Sequence, residues 1–141
     1  MAINQVLLGA LTGIDVPLYG DGSQLREFTY VDDIVTATLA AATADVTAAV
    51  VNIGGGTSVR MLDVLDLAHE VTGQPVPILN ADPQAGDVAA TQADLTLAHR
   101  LLGYRPSIGL REGMARQAEW LAGLPDSLRM FLLPNQLEVS R

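Results

Sequence analysis

The sequence of 141 residues contains no cysteine and no lysine, so all eight of its cationic side chains are arginine. Without cysteine, neither disulfide bonds nor thiolate metal sites can form. Without lysine, the chain cannot itself supply a lysine base, a Schiff base or a phosphate-binding lysine. Thiolate metal binding and lysine chemistry are therefore both excluded for this chain alone.

Aromatic residues are also scarce, at 4% of the sequence against 49% hydrophobic residues, which predicts a core of aliphatic side chains. No apolar run reaches the ~20 residues of a membrane span, and the N-terminus has no basic region of a signal peptide. The net charge of −8 argues against nucleic acid or an anionic membrane as a partner. These absences favour a soluble cytoplasmic protein, and the length suggests one domain.

The apolar spacing predicts an α/β chain of short strands packed by helices. Its first helix carries apolar residues from Ile3 to Leu11 and stops at Gly13. The predicted helices then cover about 33–43, 61–72, 95–102 and 110–121, and the predicted extended segments cover 16–19, 26–30, 49–53 and 76–79.

The second helix is preceded by two acids, and we expect Asp32 or Asp33 to cap its N-terminus. Its predicted buried stripe consists of Ile34, Val35, Thr38, Leu39 and Ala42. The continuous apolar run at 49–53 is typical of a buried strand.

Three glycines, Gly54–Gly56, follow that strand, but they lack the spacing of a dinucleotide fingerprint. A tight turn is the better interpretation. Arg60 precedes the third helix and cannot accept a hydrogen bond, so Thr57 or Ser58 is expected to cap it. Asp94 is expected to cap the fourth helix and Gly109 the last one.

The stretch from Gly20 to Asp33 combines a two-glycine turn, an extended segment bearing Arg26 and an acid-capped helix. A permanently charged guanidinium beside a turn is suited to an anion such as a phosphate. A structural role is the alternative, with Arg26 paired to Asp32 or Glu27.

The order of residues in this stretch, Gly-Asp-Gly-Ser-Gln-x-Arg-Glu-Phe-Thr-Tyr-Val-Asp-Asp-Ile, resembles the C-terminal, substrate-binding part of NAD-dependent epimerase/dehydratases. These are extended short-chain dehydrogenases such as UDP-glucose 4-epimerase and dTDP-glucose 4,6-dehydratase. Further matches follow in the same order: Asn52-Ile53-Gly54-Gly55-Gly56, Gly86-Asp87, Ala93-Asp94 and Leu101-Leu102-Gly103-Tyr104-x-Pro106. We therefore expect a nucleotide-sugar-binding domain at 1–123 and a tail at 124–141 without a family counterpart.

The resemblance implies a binding role for Arg26 at the diphosphate of a UDP- or dTDP-linked sugar, with Asn52 near the nucleotide and Tyr30 among the substrate contacts. Gln84 stands where the family usually has a second arginine, which leaves a neutral amide in place of a charge. The family's Rossmann domain, NAD(P) fingerprint and Tyr-x-x-x-Lys pair have no counterpart in this sequence. We therefore expect no catalytic, cofactor-binding or metal-binding residues in this chain, although the complete family enzyme uses NAD(P).

Three functions follow from these observations. The first is the nucleotide-sugar-binding half of an epimerase/dehydratase, inactive alone. The second is a structural or interaction module that self-associates, for example as a homodimer. The third is half of a split enzyme, completed by a separate Rossmann-domain partner.

The apolar segment Leu128–Leu133 of the tail is expected to need burial.

Overall fold

A computed structural model describes residues 2–133 of the chain. Six helices and four short strands occur within this part, which confirms the α/β class with short strands packed by helices. In chain order these are α1 (Ala2–Thr12), β1 (Val16–Tyr19), β2 (Leu25–Glu27), α2 (Val31–Thr43), β3 (Ser58–Arg60), α3 (Met61–Thr72), β4 (Ile78–Ala81), α4 (Thr96–Leu102), α5 (Leu110–Ala122) and α6 (Asp126–Leu132).

The main core lies where α1, α3 and α5 pack together against β1. Each helix presents an apolar stripe at a spacing of three and four residues, so its buried side chains meet those of its neighbours. The largest fully buried apolar side chains of this helical core are Leu7, Leu8, Val64, Met114 and Leu121. Burial of each such side chain stabilises the fold by about 1.5–3 kcal/mol.

Two separate two-stranded sheets connect this core to the loops. β1 runs parallel to β4, and the backbone N–H of Gly20 extends the pairing by donating to the Ala81 carbonyl at 2.9 Å. β2 runs antiparallel to β3, with Arg26 opposite Val59. Beside β2 lie three segments that are mostly irregular, at 51–56, 82–95 and 104–108. We call β2 and these segments the loop corner.

Several predicted elements are confirmed. β1 has the predicted bounds, α3 begins and ends where expected, and Gly109 is the N-cap of α5. The extended segment predicted at 26–30 is a three-residue strand, and β4 begins two residues later than expected. The predicted Asp94 cap of α4 is not at the N-cap position, which is Leu95, although Asp94 accepts the Thr96 N–H at 2.9 Å in the turn that precedes the helix.

The predicted buried face of α2 is wrong. The helix itself ends at Thr43 as expected, but its buried residues are Asp33 and Ala37. Ile34, Val35 and Leu39 are exposed, Leu39 to 64%. An apolar stripe identifies the face that avoids water, whereas the neighbour that covers it is set by the tertiary fold. Within residues 2–133 no element covers this face.

The strand predicted at 49–53 is also wrong, because these residues are irregular and Val50 is 90% exposed. A strand requires a neighbour to accept and donate its backbone hydrogen bonds. The described part of the chain places no strand beside this segment.

Two further helix caps differ from those predicted. Neither Asp32 nor Asp33 caps α2, whose N-cap residue is Tyr30 without a side-chain hydrogen bond. At α3 the Asp63 carboxylate accepts the Arg60 backbone N–H at 3.3 Å and the Arg60 side chain at 2.6 Å. Thr57 and Ser58 are therefore not the caps: the first N–H groups of α3, from Met61 and Leu62, donate to the Gln24 and Gly22 carbonyls at 3.2 and 3.1 Å.

The tail is only partly buried. Leu128, Met130 and Phe131 of α6 are exposed, contrary to the prediction, whereas Leu132 and Leu133 pack against the helical core. The remainder of the predicted tail, 134–141, lies outside the described residues.

Candidate ligand-binding site around Arg26

Arg26 lies at the centre of β2, where it is largely enclosed. Its side chain is 20% exposed, and its Nη1 donates to the Leu25 carbonyl at 2.7 Å. Nη2 forms an ion pair with the Asp87 carboxylate, which comes from 61 residues further along the chain. Asp32 and Glu27, the partners considered from the sequence, do not pair with it.

The 84–87 turn brings Gln84 into the same neighbourhood. The Asp87 N–H donates to the Gln84 carbonyl at 3.1 Å, and Gly86 adopts a φ of 86° between them. That backbone angle favours glycine, since other side chains are strained there. The structure therefore brings Arg26 close to the turn that carries Gln84, through its ion pair with Asp87.

An open cleft of about 740 Å³ lies against this turn. Arg26 is linked to the cleft through Asp87, which forms part of its wall. The polar side chains in the wall include Asp21, Asp82, Gln24 and Gln84. Ser23 donates its hydroxyl to Asp21 at 2.6 Å, which together with the Ser23 N–H lowers the pKa of that carboxyl. The cleft wall therefore carries three carboxylates, Asp21, Asp82 and Asp87, and none of the described residues that line it is cationic.

Asn52 and Tyr30 lie apart from that cleft. Asn52 lines a second recess of about 510 Å³, with Glu27, and its side chain approaches the Asp94 carbonyl at 3.5 Å. Tyr30 lines a small cavity of about 60 Å³ between α1 and α5, and the Arg116 guanidinium stands 5.4 Å from its ring centre. The structure thus groups Arg26 with Gln84 and does not bring Asn52 or Tyr30 to the same cleft.

Glu27 is a central residue of the loop corner that the sequence interpretation missed. Its Oε1 accepts the Gly56 N–H at 2.7 Å, and its Oε2 accepts the Ala93 N–H. Strand alternation places Glu27 and Arg26 on opposite faces of β2. The sequence shows only that Glu27 is a carboxylate next to Arg26 in a short extended segment. No spacing pattern identifies Gly56 and Ala93 as its hydrogen-bond partners.

Asp33 is the second carboxylate that organises the loop corner, at 2% exposure. It accepts the Ser107 hydroxyl at 2.7 Å, the Ser107 N–H at 2.9 Å and the Ile108 N–H at 3.3 Å. Burial acts to raise the pKa of Asp33, but the hydrogen bonds from Ser107 and Ile108 outweigh it, so that the pKa lies below its usual value.

Tyr104 completes this buried polar arrangement by donating its hydroxyl to the Gly54 carbonyl at 2.7 Å. Burial raises the pKa of Tyr104, and the negative charges of Asp33 and Glu27 raise it further. The Gly54–Gly56 loop also packs closely against its neighbours, because a Cβ atom added at Gly55 would lie 2.1 Å from the Phe28 carbonyl oxygen. This supports the turn interpretation of Gly54–Gly56.

Neither a metal site nor a membrane span is found in the part of the chain that the structure describes. Between residues 2 and 133, no three His, Asp or Glu side chains are grouped so as to hold a metal ion. No helix in the same range is long and apolar enough to cross a membrane.

Comparison with known proteins agrees with the resemblance seen in the motifs. A model of the NAD dependent epimerase/dehydratase family matches residues 1–54. A probable UDP-glucuronate 4-epimerase of Rhizobium meliloti is 32% identical over 140 residues, covering 85% of this chain and 41% of its own length. A solved structure of MoeE5 in complex with UDP-glucuronic acid and NAD is 40% identical, with a TM-score of 0.82 over 85% of this chain and 40% of that one.

The chain belongs to the NAD-dependent epimerase/dehydratase family. A third relative, the UDP-glucose 4-epimerase of Thermotoga maritima solved with UDP-glucose, is 32% identical with a TM-score of 0.79, covering 85% of this chain and 38% of its own length. The chain thus spans about 40% of the length of the relatives it matches, and corresponds to their C-terminal part.

Proposed function

We propose that this chain is the nucleotide-sugar-binding half of an NAD-dependent sugar epimerase/dehydratase, and that Arg26 is its main contact for the diphosphate. The observation that carries the proposal is the ion pair of Arg26 with Asp87, which belongs to the 84–87 turn and to the wall of the open cleft. A planar guanidinium with several N–H donors is well matched to phosphate oxygens.

The comparisons support a UDP- or dTDP-linked sugar as the ligand. MoeE5 is described in complex with UDP-glucuronic acid and with UDP-glucose, each with NAD. Another relative, from Streptomyces griseus, is named dTDP-glucose 4,6-dehydratase and is 32% identical over 111 residues. For this chain we propose the shared diphosphate and sugar as the recognised groups, with Gln84 as a neutral hydrogen-bonding neighbour of Arg26 and Asn52 and Tyr30 as further substrate contacts.

The chemical step requires groups that this chain does not provide. Because the sequence has no lysine, a Tyr-x-x-x-Lys pair cannot come from it. NAD supplies the hydride chemistry in the complete family enzyme, and we infer that NAD binding belongs to the part of the family fold that this chain does not match. We therefore propose that the chain alone binds substrate without turning it over, and that it functions in the cytoplasm.

Isothermal titration with UDP-glucose, UDP-glucuronic acid and dTDP-glucose tests the proposal. A charged hydrogen bond contributes roughly 1.5–3 kcal/mol, so Arg26→Ala is expected to weaken binding by about 10- to 150-fold. Arg111→Ala is the matched control, since Arg111 is exposed and pairs with Glu70 on α3, away from the cleft. Absence of binding to all three ligands by the wild type would refute the proposal.

A specific observation also favours an interaction function, as the second candidate. Val31, Val35 and Leu39 lie on one face of α2 and are all exposed, and large exposed apolar faces are uncommon on a soluble monomer. We propose that this surface packs against a Rossmann-domain partner or against a second copy of the chain. Sedimentation of the wild type and of a Val35→Glu/Leu39→Glu variant separates these cases: self-association that the variant loses favours the second copy, and a wild-type monomer favours a separate partner.

A further inference from the structure

The Asp87 carboxylate forms an ion pair with Arg26, the cation that is proposed to bind the ligand. Arg26 directs Nη2 to this carboxylate and Nη1 to a backbone carbonyl, so two of its donor groups are engaged within the chain. The Asp87 side chain is 40% exposed and lies in the cleft wall, whereas Arg26 is 20% exposed. An incoming anion therefore approaches a guanidinium whose charge Asp87 already balances.

The segment after Asp87 is hydrogen-bonded to β2, and Asp87 itself closes the turn that precedes it. The Leu25 N–H donates to the Ala89 carbonyl at 2.8 Å, and the Thr91 N–H donates to the Leu25 carbonyl at 3.1 Å. The 84–87 hydrogen bond closes the turn on the other side. The carboxylate is thus presented to Arg26 by a braced segment, and the ion pair forms with little further loss of conformational entropy.

We propose that Asp87 is a specificity-determining residue that makes the Arg26 site reject small inorganic anions. The proposal rests on the proposed function, because it concerns the same cation and cleft. Inorganic phosphate and pyrophosphate offer only negative charge and mostly acceptor oxygens. To take the Nη2 donor of Arg26 they must displace Asp87 and then lie beside it, with Asp21 and Asp82 in the same cleft wall.

A ligand with hydroxyl groups attached to its diphosphate is rejected less strongly. Hydroxyls donate hydrogen bonds, and an ionised carboxylate is purely an acceptor. Such a ligand can satisfy the displaced Asp87 while its phosphate oxygens take the arginine donors. The discrimination has two sources: Asp87 is left without a hydrogen-bond donor when an inorganic anion is bound, and it gains one when a diphosphate with hydroxyl groups is bound.

The test is the affinity for inorganic pyrophosphate, measured by titration calorimetry at low ionic strength on the wild type and on Asp87→Asn. The amide keeps the size of the side chain and removes the charge. We expect pyrophosphate to bind about 5- to 20-fold more tightly to Asp87→Asn, since an ion pair of partly exposed side chains is weak and its loss also removes a repulsive charge. UDP-glucose binding is expected to change by less than about threefold, because the loss of competition offsets the lost acceptor.

Two variants separate direct competition from general charge. Asp82→Asn removes one negative charge from the same cleft wall without touching Arg26, and is expected to change pyrophosphate affinity by less than about twofold. In Arg26→Ala/Asp87→Asn the gain is expected to disappear. Thermal unfolding of each variant checks that the fold is retained.

The outcomes distinguish this inference from the proposed function. Unchanged or weaker pyrophosphate binding by Asp87→Asn, or an equal gain in Asp82→Asn, would overturn the role of Asp87 even when the wild type binds UDP-glucose. Tighter pyrophosphate binding by Asp87→Asn, without UDP-glucose binding by either protein, would support the competing carboxylate and refute nucleotide-sugar binding.

Discussion

Leu7 in the helical core and Glu27 in the loop corner are held in place by different forces. Leu7 is fully buried among aliphatic side chains from α1, α3 and α5, and its contribution is the apolar area that it removes from water. Glu27 makes few such contacts and instead accepts backbone N–H groups from two loops. Aliphatic packing tolerates exchange of one apolar residue for another of similar volume, whereas the loop corner depends on individual acceptor atoms.

This difference bears on function because the proposed site lies at the edge of the loop corner. Arg26 is next to Glu27 in β2, so the strand that carries the cation also carries the carboxylate that binds the glycine loop. The helical core stabilises the fold, and the hydrogen-bonded loops hold the charged side chain of Arg26 in a fixed position. Single substitutions in the helical core and in the loop corner test this difference.

The largest expected effect is in the helical core. Leu7→Ala should lower the free energy of unfolding by about 2–5 kcal/mol, because it leaves a cavity among side chains that cannot fully relax. Denaturant unfolding measures this change. The matched control is Leu39→Ala on the exposed face of α2, with an expected change within about 0.5 kcal/mol. Equal losses in the two variants would show that the face of α2 is covered in solution.

The loop corner should respond to the loss of one carboxylate at Asp33. Asp33→Asn removes a charged acceptor, itself buried, from the Ser107 and Ile108 N–H groups and should cost about 1–3 kcal/mol of unfolding free energy. Asp32→Asn is the control, since Asp32 is exposed and its carboxylate lies 3.4 Å from Arg116. A loss at Asp32 as large as that at Asp33 would contradict the account of the loop corner.

The same residue gives a pH dependence with a definite sign. The folded-state pKa of Asp33 is lowered relative to the unfolded value of about 3.9, so its stabilising effect is complete above that value. It is lost as the pH falls through the folded-state pKa. The difference in unfolding free energy between wild type and Asp33→Asn should therefore be constant near neutral pH and shrink below about pH 4. A difference that grows on acidification would reverse the assigned sign.

The smallest expected effect is a gain at Gln84. Gln84→Arg restores a second cation on the turn that pairs with Arg26, and should strengthen UDP-sugar binding by up to about tenfold. Titration calorimetry measures the gain, and Gln74→Arg, at an exposed position outside the cleft wall, serves as the control. No gain at Gln84, with wild-type binding intact, would indicate that the diphosphate does not approach this turn.

The sequence predicted the elements of the helical core well, because the spacing of apolar residues in α1, α3 and α5 is a local property. It predicted the extent of α2 for the same reason. It did not predict which face of α2 is covered or the fate of 49–53, since both depend on neighbours distant in the chain. Periodicity identifies an apolar face without identifying the partner.

For the candidate site, the resemblance assigned Arg26 and Gln84 to the diphosphate, and this assignment stays a prediction. The Arg26 partner was missed because Asp87 is 61 residues away, and the roles of Glu27 and Asp33 were missed because their partners are 29 to 75 residues away. Charged residues beside a helix start favour capping on local grounds. A buried carboxylate that accepts hydrogen bonds from a turn distant in the chain leaves no pattern in the residues next to it in the sequence.

The most direct test of nucleotide-sugar binding at Arg26 is a map of amide chemical-shift changes when UDP-glucose is added to the isotopically labelled chain. The account predicts saturable changes centred on β2, on the Gly20–Gln24 turn and on the 84–89 segment, with little change in the helical core. Saturable changes confined to another surface, or no change at all, would contradict the central claim.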